Sequence, residues 1–388
     1  MNFGGIIMSM AEKRNKSNKK FMVLSAIGIF MVVDHHTFTA VNLLGDFIPY
    51  NSFFMPMFVF ISGYFNKVDP DTKLWAYTRR KLKTLLLPYL IITLLVLAFQ
   101  WLINLFKTGE TDSFPSGYLS YMLERVVTSG APFALVSPMW FVITLFATLM
   151  VYMLLKKLLG KVWNSYVMFV IFLVLHLTAV YLAKNVDPDT LHWYLVLLKV
   201  MFFLPFLELG ILYRDKAEKK HTELGGGWKL LILISLLVIN MIRTIYLPNA
   251  YDVAFDSIDD LSGFTSPFIV TPLISSIVGI LFWLTVVDII GKPFYESRFV
   301  NYLSNNTFWI MGMHILFFNV FNCILLTVTK YIVYLPYFDV EAFQESEFYY
   351  WEISPNIKLA YVIVGILGPL GIKLICDKIT GAAGKLVM

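Results

Sequence analysis

The strongest constraint on this chain is a series of apolar stretches, most about 20 residues long, repeated from one end to the other. A stretch of that length matches the hydrocarbon thickness of a bilayer when it is helical. A helix also satisfies its own backbone hydrogen bonds where no water can. Ten spans are expected, over 21–42, 49–65, 84–106, 133–155, 162–183, 191–213, 228–247, 264–290, 300–329 and 357–376. The second is short and ends at Gly63, the eighth carries Pro267 and Pro272, and the ninth is long enough to tilt or run past the membrane. Composition agrees: 58% of residues are hydrophobic, 15% are charged, and the mean hydropathy is +0.70. Soluble domains carry about 45–50% apolar and about 25% charged residues. The expected fold is therefore an all-α integral membrane protein, a bundle of about ten transmembrane helices.

Placing the N-terminus inside puts 24 of the 31 Lys and Arg residues in inner segments, and six in outer ones. The outer segments are acidic instead, with Asp252, Asp256, Asp259 and Asp260 in one and Glu341, Glu345, Glu347 and Glu352 in another. This alternation follows the positive-inside rule and predicts both termini on the cytoplasmic side. It also accounts for the net charge of +5 without nucleic acid as a partner. Basic residues from Lys13 to Lys20 follow the mildly apolar start rather than precede it, so no cleaved signal peptide is expected. The chain divides into a basic cytoplasmic segment (1–20), a polytopic membrane domain (21–376) and a cytoplasmic tail (377–388). Cys323 and Cys376 lie in opposite-facing regions, and no disulfide between them is expected. Gly225, Gly226 and Gly227 lack the flanking strand and Lys-Ser/Thr of a phosphate loop. The loop at 107–132 is placed to cap the outer mouth.

Ionisable groups inside spans are costly, and so are candidates for function. Asp34, His35 and His36 follow one another in the first span, about 20 Å along the helix from Phe21 at ~1.5 Å per residue. Neighbours on a helix diverge by about 100°. One histidine is therefore expected to face the bundle while the other packs or reaches the interface. A structural alternative has Asp34 bonding one imidazole. His314 and His176 lie in the ninth and fifth spans, where a lone buried histidine is commonly a packing residue. Glu208 and Asp288 sit near inner span ends, where ion pairing explains them. None of the histidines has the HxxxH or HExxH spacing of a zinc site, and no metal is expected. Arg79, Arg80, Lys81 and Lys83 precede the third span. They obey the positive-inside rule, and guanidinium groups also grip phosphate, so an anionic cofactor on the inner face is the functional alternative. Trp140 opens the fourth span at the outer interface, where aromatic belts form.

In these pieces the chain resembles the acyltransferase-3 family of bacterial membrane proteins. The first span runs from Ala26-Ile27-Gly28 to Val33-Asp34-His35-His36, like the family's apolar helix ending in Val-Val-x-x-His. The second contains Phe58-Val59-Phe60-Ile61-Ser62-Gly63-Tyr64, and the third opens with a basic run into Leu86-Leu87-Pro88-Tyr89. Pro138-Met139-Trp140-Phe141-Val142, Phe203-Leu204-Pro205-Phe206-Leu207-Glu208-Leu209-Gly210 and Ser304-Asn305-Asn306-Thr307-Phe308 followed by His314 complete the order. The resemblance implies an O-acyltransferase of the bacterial cytoplasmic membrane. It would move acetyl from acetyl-CoA, or another acyl group from its acyl-CoA, to a hydroxyl of a cell-surface carbohydrate or its lipid-linked precursor. His36 is then the general base, with His35 as the competing choice and Asp34 as the orienting group. Arg79, Arg80 and Lys83 would hold the donor, and Ser62, Tyr64, Trp140 and His314 would line the site. The family often has an arginine eleven residues before the histidine, where this chain has Ser25; the basic pair before the third span is here Arg80 and Lys83. Lys19 or Lys20 could substitute for the missing arginine. Self-association, or association with cell-envelope biosynthesis partners, is compatible with this reading. The rival class is a transporter or flippase for a glycan or lipid-linked glycan.

Overall fold

The computed structural model describes residues 17–37, 41–45, 48–69, 71–108, 117–186, 192–246 and 268–386. The basic residues before Ser17, the acidic stretch around Asp256, and Pro267 lie outside the described residues. The described residues hold helices and no strand. Ten helices stand where the ten apolar stretches predict them: α1 Ser17–His35, α2 Phe54–Phe65, α3 Leu87–Thr108, α4 Trp140–Leu159, α5 Ser165–Asn185, α6 Leu195–Leu212, α7 Gly226–Tyr246, α8 Thr271–Ile290, α9 Thr307–Tyr331 and α10 Pro355–Leu386. Eight of them, α3 to α10, are long and apolar enough to cross a membrane. α1 has 19 residues but carries Lys19 and Lys20 in its first turn and Asp34 and His35 at its end. α2 has only 12 residues, about 18 Å at ~1.5 Å per residue, well short of a hydrocarbon core of about 30 Å.

Local chemistry sets several of these ends. Asn164 caps α5, its side-chain oxygen accepting from the backbone N–H of Tyr166 at 2.9 Å and of Val167 at 3.3 Å. Pro272 falls in the first turn of α8, where its missing N–H costs nothing, so the helix starts at Thr271 instead of 264. The ninth span is two helices. Arg298–Asn305 is separate, and α9 starts after a break at Asn306, whose side chain donates to the Tyr302 carbonyl at 2.7 Å. Wider π-helical turns at Leu82–Leu86 and Tyr213–Ala217 join α3 and α6 to short helices Leu74–Lys81 and Glu218–Glu223.

α6 is the most enclosed of the eight long helices and packs against α2, α5 and α4. The α2–α6 crossing is a backbone contact: a Cβ on Gly63 would lie 2.0 Å from the Leu207 carbonyl oxygen, and one on Gly210 would lie 2.1 Å from that of Phe60. α1 sits among α2, α8, α9 and α10. α3, α5 and α7 turn rows such as Leu90-Ile91-Leu94, Val170-Ile171-Val174 and Leu230-Leu231-Ile234 outward, as lipid-facing helices do. After α9 the chain lies back over the bundle: Asn319 and Asn322 each donate to a loop carbonyl, of Glu347 and Tyr349, at 2.7 Å. Gln344 donates to the Lys107 carbonyl at 2.7 Å, tying the same loop to the end of α3. Burial raises the Glu347 carboxyl above the ordinary range, while Lys107 and the hydrogen bond from Gln100 pull it back down.

Candidate active site

The C-terminal end of α1 carries the first constellation. Asp34 is fully buried, and its carboxylate pairs with Lys358 of α10 at 3.0 Å. The same ammonium donates to the Asp34 carbonyl at 3.0 Å, placing a cation at the negative end of the α1 dipole. The other carboxylate oxygen accepts from the Leu43 N–H at 2.8 Å. The Asp34 carboxylate thus ties α1 to α10 and to the segment that follows α1.

The two neighbouring histidines diverge, as helical geometry requires. His35 packs on Phe54 of α2, with ring centroids 5.7 Å apart. His36 faces His314 of α9, centroid to centroid 4.9 Å. Both residues of the 35–36 pair are half-buried, whereas His314 is fully buried. The Nδ1 of His36 lies 2.7 Å from the Val32 carbonyl oxygen. A carbonyl only accepts, so the hydrogen sits on Nδ1 and the basic lone pair on Nε2. His314 is delivered by close packing: a Cβ on Gly312 would lie 2.6 Å from Ile92 of α3 and 3.0 Å from the Met139 sulfur. Among the described residues, no three His, Cys, Asp or Glu side chains form a group that could hold a metal ion.

A second constellation occupies the other end of α1. A cavity of about 780 Å³ is lined by Lys20, Arg214, Glu218, Lys219, Thr222, Glu223, Lys229, Asp288, Lys292 and Tyr295. Five of these are basic and three acidic, so the wall carries a positive excess. At its base, buried Asp288 pairs with Lys20 at 2.7 Å, and the Lys229 ammonium stands 3.7 Å from its other oxygen. Lys20 also donates to the Tyr213 hydroxyl at 3.0 Å, and His221 Nδ1 lies 2.9 Å from that hydroxyl. Tyr64 donates to Glu218 at 2.8 Å and stacks on Phe21, so it belongs to this end and not to the histidines.

The remaining expected residues are scattered. Arg79, Arg80 and Lys83 are exposed, with Arg80 over the Tyr77 ring at 5.4 Å, and none of them lines the cavity. Ser62 is half-buried in α2. Trp140 is buried under the Lys199 ammonium, 4.2 Å from its ring centroid, and stacks on Phe203. Lys358 and His221 escaped sequence reasoning. Lys358 lies at the start of an apolar span, where a cation is ordinary, and His221 lies in a polar inner segment; neither position carries a distinguishing signal.

The family model for acyltransferase-3, described as an acyltransferase domain, matches residues 21–338. No curated protein and no solved structure matches the chain.

Proposed function

The chain belongs to the acyltransferase-3 family, and from that membership we propose that it moves an acyl group, acetyl by preference, from an acyl-CoA to a hydroxyl of a cell-surface carbohydrate or its lipid-linked precursor. It is a multi-pass membrane acyltransferase. The finer reading adds that it spans the bacterial cytoplasmic membrane ten times, with both termini inside and α2 as a short span within the bundle. The family does not favour the transporter reading, which would release no thiol from a donor.

One observation carries the assignment of the base. The Val32 carbonyl holds the His36 ring through Nδ1 at 2.7 Å, so that Nε2 presents its lone pair. A hydroxyl is a poor nucleophile at neutral pH. As it attacks the thioester carbonyl, Nε2 takes its proton; the thiolate then leaves and recovers that proton from the imidazolium.

The inner cavity supports a phosphate-bearing donor through Lys20, Lys219, Lys229, Lys292 and Arg214. Exposed Arg79, Arg80 and Lys83 extend the basic surface by which an anion approaches. Lys20 and His36 are sixteen residues apart on one nearly continuous helix, about 24 Å at ~1.5 Å per residue. A small acyl phosphate held in the cavity cannot cross that distance. A coenzyme A thioester, whose phosphates and acyl end are separated by a long thin arm, is the matching donor class.

The experiment is acyl transfer by purified protein in nanodiscs, measured as free thiol release that depends on an added acceptor. His36→Ala is expected to lower the rate by roughly 10²–10⁴-fold at unchanged abundance in the membrane. Parent-like turnover in that variant rules out His36 as the base.

A further inference from the structure

A base that takes up a proton inside an apolar bundle becomes a cation there, and an unpaired buried cation is costly. Where a histidine works beside a carboxylate, the carboxylate stabilises the imidazolium. Here the nearby carboxylate is already committed, since Asp34 is paired with Lys358 and bonded by Leu43. The group that faces His36 is a second imidazole, His314, with the ring centroids 4.9 Å apart.

The two rings are set by the same device. His36 Nδ1 donates to Val32, and His314 Nδ1 donates to the Ile310 carbonyl at 2.9 Å, in each case four residues back on its own helix. Both neutral rings therefore keep the lone pair on Nε2. The Nε2 of His314 is buried and has no hydrogen-bond partner, an unfavourable condition for a basic nitrogen shut away from water. Protonation of His36 on Nε2 would bring an N–H donor to the ring that faces it.

We propose that His314 shares the transferred proton with His36: once His36 Nε2 has taken the acceptor hydroxyl's proton, the new N–H points to His314 Nε2. The inference rests on the reading of His36 as the base. The balance is closed. The hydroxyl oxygen forms the new O–C bond, the C–S bond breaks with its electron pair on sulfur, and the shared proton leaves on that sulfur as thiol. Both rings end neutral. His314 is then a positioning residue that stabilises the charged intermediate through His36. Among the described residues, the charged or titratable groups near the pair include Asp34 and His35 on α1 and Lys358 on α10, with Tyr361 of α10 and Tyr350 of the following loop one ring away across Phe318.

The test uses the full chain in nanodiscs with acetyl-CoA and added methyl glucoside as a carbohydrate-hydroxyl acceptor, followed as acceptor-dependent thiol release across pH. His314→Gln is expected to lower kcat roughly 10²-fold with KM for acetyl-CoA unchanged. The acidic limb of its pH–rate profile should move to lower pH, because the protonated base has lost its partner. His36→Gln combined with His314→Gln should be no slower than His36→Gln alone, as for residues acting as a unit. A parent-like rate and acidic limb in His314→Gln, or additive losses in the pair, overturn the proposal; so does a raised KM with kcat unchanged, which marks a lining residue. Nitrogen-15 histidine NMR reads the pair without turnover, since a shared proton moves both Nε2 resonances in one step on acidification. Independent titration of the two rings refutes the sharing even if the protein is inactive. Joint titration together with parent-like turnover in His36→Gln leaves the sharing intact and removes His36 from acyl transfer.

Discussion

Asp34 and Lys358 illustrate how much depends on single atoms in an apolar bundle. Each is almost fully buried, and each neutralises the other across α1 and α10. Removing one partner strands the other as a buried charge, at a cost of about 3–5 kcal/mol, whereas replacing both with apolar groups can be close to neutral. Lys358→Met and Asp34→Leu are thus each expected to lower the melting temperature of the detergent-purified protein. The double variant should recover much of the loss, giving a clear coupling term in a double-mutant cycle. Simple additivity would mean that the pair is too well solvated to matter. At the same scale, the first-helix histidines divide their work by direction: His36 turns to α9 while His35 turns to α2.

The α2–α6 contact is a close backbone crossing in the half of the bundle that carries the cavity. Helices in lipid associate through close packing and not through exclusion of water, so small residues mark their crossings. Gly63 and Gly210 bring the two backbones together so closely that no Cβ fits at either position. Gly63→Ala and Gly210→Ala are each expected to destabilise by about 1–3 kcal/mol, the usual cost of overpacking. Gly227→Ala in α7, where a Cβ would meet nothing within 4 Å, serves as the control and should melt like the parent. Equal melting of all three variants would show that α2 and α6 yield without strain. The crossing also bears on the cavity, because α2 carries Tyr64 to Glu218 in its wall.

Across the whole molecule, α1 joins the two constellations, with Lys20 in the cavity and His36 at the histidine pair. If the donor enters from the cytoplasmic side, a reporter at the cavity wall should sense both orientation and occupancy. In a background lacking Cys323 and Cys376, Lys219→Cys is expected to react with an impermeant maleimide in inside-out vesicles and not in sealed right-side-out ones. Acetyl-CoA should slow that reaction. Labelling in right-side-out vesicles alone would invert the topology. Labelling that acetyl-CoA leaves unchanged would move the donor site elsewhere, with Arg80 and Lys83 next in line.

The apolar stretches alone located the eight helices long and apolar enough to cross a membrane, because lipid demands about twenty mainly apolar residues per span. They also flagged Asp34, His35, His36, His176 and His314, since ionisable groups stand out against an apolar background. What they left open was direction. A run such as Asp34-His35-His36 fixes the angles between side chains but not the helix that each one meets. Only the tertiary structure turned Asp34 to Lys358, set His36 against His314, and gathered Lys20, Arg214, Lys229 and Asp288 around one cavity. Those partners are far apart in sequence, and their meeting depends on how α1 packs among α2, α8, α9 and α10. That packing is decided by side-chain fit at close crossings, which hydropathy does not record.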